Sequence, residues 1–216
     1  MTDRLPLLDR DAIDPTLLEL AAYRRSQREQ PFNIYRALAH HPDMVRRWLG
    51  FADGLRFDAR LSGRDRELVI LRTGANCQCE YEWGQHVPYG RSAGITDAEL
   101  AALVRPLDAH PWSGRDRALL AAADELHASS DLSDETFRAL REEFENDELI
   151  EVVMLVGQYH LVSYVLNGFR VERDAGLVPF PSPPDTRAVT GVDPTNPIGE
   201  RTPPRAREGG LDAATT

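Results

Sequence analysis

The twelve residues from Asn76 to Val87, NCQCEYEWGQHV, hold two thiols, two carboxylates, a tyrosine, a tryptophan and an imidazole. Four things fit that content: a thiol redox centre, a metal site, an acid/base site, or an ordinary packed helix. Read as a helix capped by Asn76, the stretch puts Cys79, Glu82 and His86 within a sector of about 60°, at about 100° per residue. Cys77 then points about 160° away from Cys79. A Cys-x-Cys disulfide would need a turn here instead of a helix.

Each residue has a plain structural role to set beside the chemical one. A lone helical Cys is usually a small hydrophobe. Glu82 and His86 at i,i+4 could be a surface pair worth a few tenths of a kcal/mol. Tyr81 and Trp83 are more often packing than chemistry. Shared burial would change the reading, because an uncompensated buried charge shifts its pKa. A carboxyl raised towards neutrality beside an imidazole is a matched acid and base for carbon-acid chemistry. A metal held by Glu67, Cys79, Glu82 and His86 would use an uncommon mixed ligand set.

The rest of the chain narrows the chemistry. All 25 basic residues are arginine, so no lysine can form a Schiff base or serve a P-loop. No GxGxxG occurs. The formal charge of −10 argues against nucleic acid or an anionic membrane as the main partner. No apolar run is read as reaching the ~20 residues of a membrane span. The start, MTDRLPLLDRDAIDP, is unlike a signal peptide. With only two cysteines, the expected compartment is a reducing cytoplasm.

The elements that must position the cluster read as helices up to about Val178. Asp14-Pro15 opens a helix through LLELAAYRRSQRE. FNIYRALAHH and PDMVRRWLGFADGL follow. Ser62 with Asp65, and Thr96 with Glu99, fit capping patterns. Ser133 caps DETFRALREEF, and Asn146 or Asp147 opens ELIEVVMLVGQYHLVSYVLNGF. SGRDR occurs at 62–66 and again at 113–117, which one capping solution used twice would explain. Glu67–Val87 can also be laid over Glu151–Val171 without a gap, suggesting two pseudo-symmetric helical units, with chance apolar similarity as the competing account. Eight of the fifteen prolines fall in the last 39 residues, which reads as a disordered tail or an extended arm. The expected division is a helical domain over 1–178 and a proline-rich arm over 179–216.

The segment RELVILRTGANCQCEYEWGQH resembles the carboxymuconolactone decarboxylase family, which includes the alkylhydroperoxidase-D-type proteins. The likeness runs from about Phe32 to Pro181, carried mainly by DRELVILRT, EYEWGQHV, GQY and VLNGF. In the peroxidase-type members a Glu precedes the first Cys of a Cys-x-x-Cys by twelve places, and a His follows the second Cys by four. Laid on this chain, Glu67 takes the Glu place, Cys79 the first Cys and His86 the His. Glu82 stands where the second Cys should be, so the dithiol cannot form in its usual place.

The resemblance implies an all-α, alkylhydroperoxidase-D-like bundle and a homo-oligomer, trimer-based or dimeric, with sites near subunit contacts. The leading expectation is a decarboxylase-like lyase doing cofactor-free decarboxylation or isomerisation on a small carboxylated or lactone-like substrate. His86 would be the general acid/base, Glu82 its orienter or second proton carrier, and Glu67 the residue that sets the imidazole tautomer. Cys79, Trp83 and Tyr81 would line the pocket, with Asn167 added from the second unit. Arg72 could anchor a carboxylate or face solvent. The alternative is a thiol peroxidase or disulfide oxidoreductase of peroxiredoxin type, using Cys79 with Cys77.

Overall fold

The computed structural model describes residues 4–20, 29–179 and 181, and every regular element among them is helical. The α-helices are α1 (Pro15–Leu18), α2 (Asn33–Leu38), α3 (Pro42–Phe57), α4 (Gly63–Asn76), α5 (Glu80–Ser92), α6 (Asp97–Ala102), α7 (Gly114–Ser129), α8 (Asp134–Glu143) and α9 (Asn146–Phe169). The helix expected to run on from Pro15 is described only to Leu18, and residues 21–28 lie outside the described set. Almost all of the expected proline-rich arm lies outside it as well.

Local capping chemistry explains most helix starts. Ser62, Ser113 and Ser133 each accept a backbone N–H from three residues ahead. Thr96 and Glu99 form a reciprocal capping box. A second box joins Glu145 to Glu148, so α9 is capped one residue earlier than Asn146.

α4 is the central helix, buried on almost all sides and packed against α5, α7 and α9. One core patch joins Val69 and Ile70 to Leu119, Leu155 and Tyr159. Another joins Leu68 and Leu71 to Trp83, Val87 and Leu103. Arg72 is sealed into this framework. Its Nε and Nη2 each meet an Asp124 carboxylate oxygen at 2.6 Å, and Nη1 donates to the carbonyls of Leu103 (2.6 Å) and Arg105 (2.7 Å). It is a structural clamp, neither a substrate anchor nor a solvated surface residue.

The two sequence echoes fare differently. Glu67–Val87 spans a broken pair of helices, whereas Glu151–Phe169 is continuous helix, so the gapless overlay does not mark two alike units. SGRDR does more than cap twice. Arg64 of the first copy meets Asp116 of the second at 2.9 Å, and Arg115 of the second meets Asp65 of the first at 3.0 Å. The starts of α4 and α7 are thus cross-tied by reciprocal ion pairs. Removing Arg115 leaves the Asp65 carboxylate, only 4% exposed, with the Ser62 hydroxyl but without a counter-charge. Arg115→Ala is therefore expected to lower the unfolding free energy by about 1–3 kcal/mol, read by urea titration.

α9 carries apolar residues all round. Val152, Leu155, Val156 and Leu166 face inward, while Ile150, Met154, Leu161 and Tyr164 are exposed. Its 24 residues, with a mean hydropathy of 1.6 over the richest window, correct the expectation that no run is long and apolar enough to cross a bilayer. With 44% of that window buried inside the fold, the helix reads as well as a core element.

Candidate functional site

A break in the chain builds the site. α4 ends at Asn76, Cys77 is its C-cap, Gln78 takes the left-handed conformation (φ +53°), and α5 starts at Glu80 with Cys79 as N-cap. This corrects the continuous helix expected from Asn76. Glu82 and His86 lie inside α5 and keep their i,i+4 relation, whereas Cys79 leaves that stripe.

Glu67, Glu82 and His86 come together, each no more than 5% exposed. His86 Nδ1 lies 2.7 Å from Glu67 Oε2, and His86 Nε2 lies 3.5 Å from Glu82 Oε2. An ionised Glu67 fixes Nδ1 as the protonated nitrogen and leaves Nε2 to face Glu82. Tyr159 of α9 stands edge-on to the imidazole, with centroids 5.1 Å apart at 90°. Because the two carboxylates sit at opposite nitrogens of one ring, no single ion can meet all three groups.

Glu82 and His86 open onto a cavity of about 70 Å³, also lined by Arg56, Tyr81, Gln158 and Tyr159. A few waters or a small planar group fill such a volume. Trp48 Nε1 donates to Gln158 Oε1 at 3.2 Å and steadies one wall. Arg56, from α3, places its guanidinium carbon 5.5 Å from the Tyr89 ring centroid. Burial opposes the Arg56 charge, but Tyr159, Tyr35, Tyr89 and Glu67 outweigh it and hold the group protonated.

The two carboxyls are driven apart. Burial pushes Glu82 up, only partly offset by His86 and Arg56, and nearby Glu67 pushes the same way. Burial also acts on Glu67, yet His86, Arg66 and Arg56 prevail and hold it below the ordinary range. One carboxyl is thus biased towards its acid form and the other towards its base form, with an imidazole between them.

This difference has a stability signature. Folded Glu82 binds its proton more tightly than unfolded Glu82, so the native state loses stability as pH climbs from the ordinary carboxylate value of 4.5 through the raised one. Glu82→Gln removes that loss. The variant is expected to melt at a higher temperature than the parent near pH 7, and the gap should close below pH 4.5. Calorimetry at several pH values reads it. Glu67 has the opposite sign, contributing stability above 4.5 that is lost as pH falls through its lowered value.

The remaining expected site residues are dispersed. Tyr81 lines the cavity, but its hydroxyl is engaged, donating to Asp174 Oδ2 at 2.5 Å and accepting from the Ile34 N–H at 3.1 Å. Cys79 is fully buried among Ile34, Ala37, Val162 and Leu166, behind the cavity wall and not part of its lining. Burial, with Glu82 beside it, pushes its thiol up to about 12. Trp83 packs into the Leu68–Leu103 core, not the cavity. Asn167 is exposed and donates to the Cys77 carbonyl at 2.9 Å, securing the end of α4. Both cysteines are free thiols. Arg56 carries no sequence signal of its own and Tyr159 stands out only within the GQY string, since folding alone brings α3 and α9 to α5.

The sequence matches the family model described as "Carboxymuconolactone decarboxylase family" over residues 42–125, a span that includes Glu67, Glu82 and His86. No curated protein matches significantly. Among solved structures, an uncharacterized peroxidase-related protein with an alkylhydroperoxidase AhpD core, from Ralstonia eutropha JMP134, aligns with TM-score 0.70 at 21% identity, covering 80% of this chain and 93% of that one. A peroxidase-related protein from Silicibacter sp. TM1040 aligns at 0.69 and 17% identity, covering 80% and 92%. The debrominase Bmp8, in complex with 2,3,4-tribromopyrrole, aligns at 0.66 and 14% identity, covering 81% and 94%. At these identities the likeness to the structures is one of fold.

Proposed function

We propose that this chain is a member of the carboxymuconolactone decarboxylase family, whose model matches residues 42–125, and that it is an enzyme of cofactor-free proton transfer. The reaction class is decarboxylation or isomerisation of a small carboxylated or lactone-like substrate. The observation that carries this reading is the buried line Glu67–His86–Glu82 beside the Arg56 guanidinium.

Arg56 pairs with the substrate carboxylate, or with the enolate oxygen that develops as carbon loses a proton or carbon dioxide. His86 Nε2, held in register by Glu67 at Nδ1, moves the proton at the reacting carbon. Glu82, biased towards its acid form, supplies or receives the second proton. A cavity of about 70 Å³ favours a compact substrate. The fold-level likeness to a debrominase solved with a small ring compound is in keeping with that size class.

The thiol alternative has weaker support. Glu82 occupies the place of a second cysteine, and Cys79 is sealed away with a raised pKa, the reverse of what a reactive thiolate needs. Screening carboxylated lactones and β-keto acids for turnover tests the proposal. Product formation that survives loss of His86 removes it. We also propose a homo-oligomer in which a second copy covers the exposed apolar residues of α9. Light scattering that gives a monomer mass would reject this.

A further inference from the structure

Outside the cavity, three residues from three elements bring metal-ligating atoms together. Cys77 caps the end of α4, His127 lies in the last turn of α7, and His160 is in the middle of α9. His127 Nδ1 is 2.8 Å from His160 Nε2, and Cys77 Sγ is 4.0 Å from His127 Nδ1. All three ligand atoms lie within 4.8 Å of one another. From these we propose a second site that binds a divalent cation of zinc type through Cys77 Sγ, His127 Nδ1 and His160 Nε2.

The choice of cation follows from the donors. One sulfur and two imidazole nitrogens suit a borderline-soft ion and do not suit magnesium or calcium, which take oxygen. Tetrahedral zinc, with bonds of about 2.0–2.1 Å to nitrogen and 2.3 Å to sulfur, separates such ligands by about 3.3 Å (N to N) and 3.6 Å (N to S). Those two observed spacings differ from the tetrahedral ones by about 0.4–0.5 Å, and the third pair lies within 4.8 Å. His127 is exposed and can make that adjustment by turning its ring.

The surroundings are those of a ligand set. His160 Nδ1 donates to the Val156 carbonyl at 2.8 Å, which fixes the tautomer and leaves the Nε2 lone pair pointing at the cluster. Burial pushes the Cys77 thiol up, and the fully buried Ser163 hydroxyl beside the sulfur offsets this only in part. A surface hollow of about 280 Å³ adjoins both histidines, so the fourth position faces solvent or a small ligand. Three protein ligands with an open fourth place is the pattern of catalytic rather than purely structural zinc.

Binding is an exchange of ions without redox change. Zn²⁺ replaces the proton on Cys77 Sγ, a Zn–S bond forms, and one proton leaves to solvent. His127 shifts its proton to Nε2 and releases none. The test is calorimetric titration of tag-free, chelator-stripped full-length protein with ZnCl₂ in buffers of differing ionisation heat, with cobalt(II) absorption as a second readout. One zinc per chain, release of about one proton and a thiolate-to-cobalt band are expected. Cys77→Ser and His127→Ala should each weaken zinc by more than about 100-fold. His86→Ala, from the other site, should leave affinity unchanged. The proposal is overturned if the parent binds zinc no better than His127→Ala, or if His86→Ala removes binding as fully as Cys77→Ser.

Discussion

His86→Ala is expected to cut turnover by about 10²- to 10⁴-fold with little change in substrate affinity, the usual scale for losing a positioned acid/base group. The same change leaves the buried Glu67 carboxyl with Arg66 at 3.6 Å, so a thermal melt run beside the assay separates lost folding from lost chemistry. Glu67→Gln provides the finer readout. It keeps the shape but removes the charge that holds the imidazole tautomer, so the pH–rate profile should shift while substrate affinity stays nearly constant. Cys79→Ala should retain most of the turnover, because the sulfur does not line the cavity. Should peroxide be consumed only when Cys79 is present, with His86→Ala silent on carbon acids, the proton-transfer reading fails.

Arg72→Met is the substitution expected to cost most in stability, towards the lower end of about 3–5 kcal/mol. The side chain is 4% exposed and ties α4 to α7 and to the carbonyls that follow α6. Its loss leaves the Leu103 carbonyl buried without this donor, and leaves Asp124 with the Asn76 amide, which donates to it at 2.8 Å. Asp124 is 27% exposed, so water recovers part of the loss. Asp124→Asn should also destabilise, because it leaves the guanidinium buried without a counter-charge. Urea titrations of both single variants and the double variant would give a coupling of more than about 1 kcal/mol. Additive losses would mean the clamp is not one unit.

How much could be read from the chain alone follows from range. Caps at Ser62, Thr96, Ser113 and Ser133 were legible because each is settled within four residues. The common face of Glu82 and His86 was legible for the same reason. Residue 78 defeated the reading. Gln is neither glycine nor proline, nothing around it marks a left-handed turn, and a continuous helix put Cys79 on the wrong stripe. Trp83 and Asn167 were misplaced because helical phase says which residues share a face, not which neighbour that face meets. Arg56, Tyr159, His127 and His160 were invisible as partners, since only tertiary packing brings α3, α7 and α9 to α4 and α5. The family resemblance supplied Glu67, which no local rule would have paired with His86.

The single reversed residue at Gln78 acts as a watershed. Sulfur on one slope drains towards the outer histidines and solvent; sulfur on the other is walled into hydrocarbon behind the carboxyl pair. Two identical thiols, one residue apart, therefore lead unequal lives. An alkylating reagent offered to the native protein should find one of them long before the other.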